Sequence, residues 1–218
     1  MAWDNIPDWS GQFANSILQT VKEKDPHTFF HCARVGRGSR QFAKALGLNA
    51  FEQAVMEYAG LFHDVGKVGV PDSILLKPGR LDVAEIEVMK SHPLKSAAII
   101  EPMAQQVAFF KELLPGIYAH HERIDGTGYP FNLAADQIPL SGRLIAIVDS
   151  YDAMSNVRPY RKALAKDKIL KELKDFSGRQ FDEQLVKVFL ELLPFIEKQD
   201  PNKHDKDEMV VASMLKAA

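Results

Sequence analysis

The chain has 218 residues, 46% hydrophobic and 26% charged, with a net charge of -2; this is an ordinary globular composition, long enough for one sizeable core, and it argues against bulk affinity for a nucleic-acid polymer. A single cysteine, Cys32, excludes an internal disulfide framework and fits a reducing compartment. The opening "MAWDNIPDWSG" has no basic leader followed by an apolar run, and no stretch approaches about 18 uninterrupted apolar residues, so the expectation is a cytoplasmic protein with no signal peptide and no membrane span.

Ile17, Leu18 and Val21 predict a first helix that starts near Ser10. "TFFHCARVGRGSRQFAKALGL" carries Phe30, Val35, Phe42, Ala45 and Leu46 at helical spacing, with Gly47 as its stop. "AFEQAVMEYAGLFHDVGK" repeats the pattern through Ala54, Val55, Tyr58, Leu61 and Phe62, with Gly66 expected to close it. In "RLDVAEIEVMKSH", Asp82 and Glu85 have capping-box spacing, and His92 is expected near that helix's end. Two further helices are expected at roughly 94–110 and 112–121. "GRLIAIVDSYDAM" is dense in Ile and Val, as a buried strand would be, but its length and alanine-rich continuation favour a buried helix. "KALAKDKILKELKDF" and "DEQLVKVFLELLPFIEK" read as amphipathic helices; Leu185, Val188, Phe189 and Leu192 on the second suit a core, or otherwise a dimer face. "KQDPNKHDKDE" is a polar break before a short tail. The class is all-α, a compact multi-helix bundle. The expected division is a helical extension over 1–24, a main domain over 25–198, and a polar linker and tail over 199–218.

Two connections, "KVGVPDSILLKPGR" and "RIDGTGYPFNLAADQIP", are long and rich in Gly and Pro. Each directly follows a histidine cluster, and long ordered loops in compact helical domains are usually functional. Six of the 7 histidines fall between His27 and His121. Taken singly, His31 or His92 would more often be a hydrogen-bonded structural residue than a ligand. Asp149 lies within an apolar run and must be paired, capping or bound to a cation, because burying a bare carboxylate is costly. Taken together, His31, His63, Asp64, His92, His120, His121 and Asp149 are too many donors for one tetrahedral zinc. They suit two borderline divalent ions sharing a carboxylate, with helix ends converging on one cavity.

"HDVGK" at His63–Lys67 resembles the HD superfamily of metal-dependent phosphohydrolases. The longer series looks like the HD-GYP family of bacterial cyclic di-GMP phosphodiesterases. It comprises "HCARV", then "FHDVGKVGVPDSILLKPGRLDVAEIEVMKSHP", then "HHERIDGTGYP", then "IPLSGRLIAIVDSYDAMSNVRPYRKAL". It runs from about Asp25 to Leu164, leaving about 25 residues before it, too few for the sensor domain that members often carry.

The resemblance implies a metal-dependent hydrolase that opens cyclic di-GMP to linear pGpG, GMP or both. It implies one metal on His31, His63, Asp64 and Asp149, and a second on Asp64, His92, His120 and His121. The ions would be Fe or Mn, with a bridging hydroxide as nucleophile. Asp64 would be the catalytic bridge. Lys67 would contact the scissile phosphate, unless it only complements a helix dipole. Arg158 and Arg161 would grip phosphate, unless they only flank a turn. Gly126, Gly128, Tyr129 and Pro130 form the signature loop: the glycines are expected at positive φ, and Tyr129 is expected as an anchor hydrogen-bonded inside the site. Asp152 would orient a ligand histidine or relay a proton. The loop is also implicated in docking onto GGDEF domains. At His27 some members have a glutamate that binds a third metal; here it is either such a ligand or a helix N-terminal residue making a hydrogen bond. Where many members have glycine the chain has Ser96, expected to alter helix packing slightly. The alternatives are another cyclic dinucleotide, 3′,3′-cGAMP, as substrate, or a non-catalytic module that binds cyclic di-GMP or a GGDEF domain.

Overall fold

A computed structural model of the chain describes residues 6–156 and 163–199. Ten α-helices follow one another among the described residues: α1 (Ser10–Lys24), α2 (Pro26–Ala45), α3 (Ala50–Phe62), α4 (Asp72–Leu75), α5 (Val83–Met89), α6 (His92–Ala104), α7 (Ala108–Ala119), α8 (Leu140–Ser155), α9 (Lys166–Asp175) and α10 (Glu183–Gln199). Short 3-10 turns occupy Val65–Gly69 and Ala135–Gln137. The all-α expectation holds, and "GRLIAIVDSYDAM" is a helix. The polar break from residue 200 onward lies outside the described residues.

Local chemistry explains where the helices begin. Asp25 accepts from the amides of His27 and Thr28, and Pro26 takes the first turn of α2, where no amide is required. Asn49 with Glu52 and Asp82 with Glu85 complete reciprocal capping boxes on α3 and α5. Gly47, at φ 76°, follows α2 as expected of a helix stop.

Helices α2 and α3 cross closely. A Cβ on Gly60 would lie 3.0 Å from the Gly36 Cα, and one on Gly36 would lie 2.7 Å from Leu61 Cγ. This approach brings His31, five residues before Gly36, beside His63, three residues after Gly60, with ring centroids 5.1 Å apart. Helix α8 packs on α2 and α7, and α6 packs on α7 and on the Val65–Gly69 turn. Phe29, Phe42, Phe62, Phe109, Phe110, Leu144 and Ile147 fill the shared core, to which α1 contributes Ala14, Leu18 and Val21. In α10, Leu185 and Phe189 are buried in this core, with Val188 and Leu192 packed against it.

Three sequence expectations are corrected. Gly66 does not close α3, which ends at Phe62; it sits in the following 3-10 turn, pressed against α6. The helices expected at 94–110 and 112–121 are His92–Ala104 and Ala108–Ala119. The chain breaks through Gln105–Val107, where Val107 is extended with no glycine or proline beside it to mark the stop. His92 opens α6 instead of closing the preceding helix; Pro93, one residue on, is a start signal.

Candidate metal centre

Seven side chains expected as ligands come together where α2, α3, α6, α7 and α8 meet. His31 lies in the second turn of α2, and His63 and Asp64 follow α3 directly. His92 opens α6, His120 and His121 follow α7, and Asp149 lies within α8. Ligand atoms of Asp64, His92, His120 and His121 all lie within 4.8 Å of one another, as do those of His31, His63 and Asp64. Asp64 is the residue common to both groups. Its Oδ1 is 3.0 Å from His92 Nε2, while its Oδ2 is 3.5 Å from His31 Nε2 and 3.4 Å from His63 Nε2. Asp149 stands against His31, with Oδ1 3.0 Å from Nε2, and joins neither tight group.

The backbone fixes how the rings point. His63 Nδ1 donates to Gly60 O at 2.7 Å, His92 Nδ1 to Met89 O at 2.8 Å, and His120 Nδ1 to Ile117 O at 2.8 Å. In each case the acceptor is the carbonyl three residues earlier. A carbonyl can only accept, so Nδ1 carries the proton and Nε2 presents its lone pair to the centre. His31 is turned the same way by Asp152, whose Oδ2 lies 2.7 Å from Nδ1. His92 Nε2 is consequently 3.2 Å from His120 Nε2 and 3.2 Å from His121 Nε2. Among the described residues, buried His31 Nε2, His63 Nε2 and Asp64 Oδ1 make no hydrogen bond of good geometry, although His31 Nε2 lies close to Asp149 Oδ1 and Asp64 Oδ1 close to His92 Nε2. Converging imidazole lone pairs around a buried carboxylate are a donor set that divalent cations fit.

Charge follows the same geometry. Burial by itself raises the Asp64 carboxyl, but the charged Lys67 beside it leads the influences that hold it well below the usual carboxylate range. Lys67 Nζ reaches Asp64 Oδ2 at 2.5 Å. Burial, reinforced by His121, pushes His120 well below the ordinary imidazole value, and burial with His92 pushes His121 down to about 3. Both rings are therefore neutral, with lone pairs available. At His31 burial is outweighed by Asp149 and Asp152, which raise it to about 9.

A cavity of about 730 Å³ opens beside the cluster, lined by His31, Lys67, His92, His121 and Tyr129 on one side and by Leu75, Leu76, Lys77, Pro78, Leu81 and Met89 on the other. His27, in the first turn of α2, lines the same cavity one helical turn from His31 but joins neither ligand group. Arg158 and Arg161 lie outside the described residues.

The signature loop folds back on the second histidine pair. Tyr129 stacks on His121 at 4.7 Å, and its amide donates to His121 O at 3.2 Å. Its phenol is pushed up, by burial first and then by Asp64 and Asp149. Ring stacking and the backbone hydrogen bond tie Tyr129 to His121. Pro130 follows through a cis peptide bond. Gly126 has the expected positive φ, 75°, but Gly128 does not. Gly128 answers a need for space: a Cβ there would lie 2.5 Å from Arg123 N and 2.6 Å from His121 O.

A family model described as the HD domain matches residues 15–185. The chain belongs to the HD domain family. Within it, the HD-GYP resemblance is borne out by its relatives. This HD domain is 35% identical over 202 residues to a cyclic di-GMP phosphodiesterase of Thermotoga maritima, covering 88% of this chain and 51% of that protein. It is 37% identical to a 3′3′-cGAMP-specific phosphodiesterase of Vibrio cholerae, covering 85% of this chain and 40% of that one. The chain thus spans about half the length, or less, of these relatives. Its fold is that of the PgpH phosphodiesterase HD domain of L. monocytogenes, solved in complex with cyclic di-AMP, with a TM-score of 0.62 at 18% identity over 87% of this chain and 99% of that one. Membership and the His/Asp cluster together support divalent-metal binding. Among the described residues, no helix of the HD domain is long and apolar enough to cross a membrane.

Several supporting residues of this HD domain escaped the sequence reading. Arg34 donates to both Asp152 oxygens, at 2.6 and 3.1 Å, and Asn156 Nδ2 to Oδ1 at 2.9 Å. Their spacings, three residues after His31 and four after Asp152, put them on the right helix faces and were the available signal. Buried Glu122 accepts from the amides of Phe131, at 2.7 Å, and Leu133, at 3.0 Å. Nothing in the sequence marks that pairing, because both partners are backbone groups across the loop.

Proposed function

We propose that this chain is a metal-dependent phosphodiesterase that hydrolyses cyclic di-GMP to linear pGpG, GMP or both. The observation that carries the reading is the fixed orientation of the imidazoles. His92 and His120 commit their Nδ1 protons to carbonyls, so their Nε2 atoms oppose lone pair to lone pair at 3.2 Å. His92 and His120 would hold a divalent cation, whose ligation would relieve that repulsion. Divalent ions held there, Fe or Mn in our reading, would polarise a phosphoryl oxygen and lower the pKa of a bound water from about 15.7 to about 7.

The chain's own residues divide the remaining work. Asp64 offers one oxygen to each ligand group and would span two ions. Asp152, held by Arg34 and Asn156, keeps the His31 ring turned so that Nε2 faces the site. Lys67 lines the cavity at Asp64, and its ammonium would pair with an incoming phosphate. Arg158 and Arg161 would grip the phosphates of a cyclic dinucleotide, since guanidinium matches phosphate geometry in two-point contacts. The cavity, at about 730 Å³, is within the range of small-molecule sites, and its Leu75, Leu76, Leu81 and Met89 wall suits the faces of bases.

A second substrate, 3′,3′-cGAMP, is favoured by the relative bearing that specificity, which at 37% identity matches as well as the cyclic di-GMP enzyme at 35%. The test is anaerobic purification with Fe or Mn, metal analysis, and product assays on both dinucleotides. Release of pGpG or GMP from cyclic di-GMP is expected. Cleavage of 3′,3′-cGAMP alone would reassign the substrate, and a metal-loaded protein inert toward both would overturn the enzymatic reading.

A further inference from the structure

The residues that bind the HD turn to α6 converge on one side chain. Ser96 is fully buried, on the fifth residue of α6, one helical turn beyond His92. Its hydroxyl donates to His63 O at 2.7 Å and accepts from Gly66 N at 2.8 Å. Both partners are in the segment that carries His63 and Asp64. That segment comes so close to α6 that a Cβ on Gly66 would lie 2.3 Å from His92 O and 2.3 Å from Ser96 N. His63 and Gly66 flank the point where α3 ends and the 3-10 turn begins, so these two backbone groups are spare ends of helices that need a partner. One hydroxyl serves both.

Resting on the binuclear reading above, we infer that Ser96 is a positioning residue for the metal centre. It locks the turn carrying His63 and Asp64 to the helix carrying His92. The span it sets is the 3.0 Å between Asp64 Oδ1 and His92 Nε2, the one that joins the two segments around a single ion. Removing the hydroxyl leaves a buried amide and a buried carbonyl without a partner, and they can be satisfied only if the turn moves away from α6. The group Asp64, His92, His120 and His121 spans both segments, while His31, His63 and Asp64 do not include α6. Loss of Ser96 therefore weakens one ion more than the other.

The experiment is a chelator-competition titration of metal-free protein with Mn(II), read as stoichiometry and affinity without reference to turnover. Wild type takes up two ions. Ser96→Ala weakens one of them by about tenfold, the scale expected when an outer partner of a metal site is lost, and leaves the other within about threefold. Ser96→Thr keeps the hydroxyl and the tighter binding, and serves also if the alanine variant does not fold. Ile100→Val, one turn further along α6 and also fully buried, loses packing but no hydrogen bond to the turn and keeps both affinities. Equal affinities in wild type and Ser96→Ala, or equal losses in Ser96→Ala and Ile100→Val, overturn the positioning role while leaving the binuclear reading intact. A wild-type protein that binds no ion overturns both.

Discussion

Asp64 is the residue common to both candidate ligand groups, and its carboxylate is kept ionised chiefly by Lys67 despite burial. Asp64→Ala is expected to lose both ions and all turnover while retaining helical content; metal analysis and circular dichroism check it, and retained activity would remove Asp64 from the bridging role. Gly128 makes a different kind of prediction. A methyl there meets backbone atoms at 2.5 and 2.6 Å with no side chain to give way. Gly128→Ala should cost about 1–3 kcal/mol, and metal affinity should fall as the backbone after His121 is displaced. Gly79, with nothing within 4 Å of a Cβ, is the control, and Gly79→Ala should leave stability and metal binding unchanged. At this scale the sequence was legible where chemistry is concentrated in rare residue types, as in the His63–Asp64 and His120–His121 pairs. It was mute about Glu122 and marked Ser96 only as a slight change of packing, because their partners are backbone groups and backbone groups leave no trace in residue identity.

Helix caps allow a comparison between elements. Asn49 and Asp82 have the same capping-box chemistry, yet α3 is buried along most of its length and none of α5 is buried. Each cap is worth about 1 kcal/mol. Asn49→Ala acts on a helix that unfolds with the core, so the whole protein should melt about 2–4 °C lower. Asp82→Ala should instead lower amide protection over Val83–Met89 with little change in global melting; a full global shift would show that α5 is part of the cooperative unit. The caps and the amphipathic stripes could be read directly, since both are local. The break between α6 and α7 could not. Gln105 and Gln106 carry no stop signal, and the chain turns there because Phe109, Phe110 and Leu113 must reach the core from a new helix.

For the whole molecule, metal binding and folding are linked. The candidate ligands come from segments spread from His31 to Asp149, so the set exists only in the folded chain, and ions that bind only that state would stabilise it. At a free ion concentration about a hundred times the dissociation constant the gain is about 2.7 kcal/mol, which for a chain of this size raises the melting temperature by roughly 5–10 °C. Scanning calorimetry of metal-free and Mn-loaded protein checks this, and EDTA should reverse the shift. An unchanged melting temperature would mean that the cluster does not hold ions tightly.

The sequence by itself determined the helical class, most helix starts, and the imidazoles and carboxylates of the candidate site, because periodicity, caps and ligand chemistry are written in residue types. The tertiary structure decided how that set is used. It turned the Nδ1 protons of His63, His92 and His120 onto carbonyls so that their Nε2 atoms face inward, and set Asp149 against His31. It gave Asp64 one oxygen for each group. It also required Gly128 for space where the sequence had suggested positive φ. These depend on distances between segments far apart in the chain, and such distances are fixed only when the helices pack.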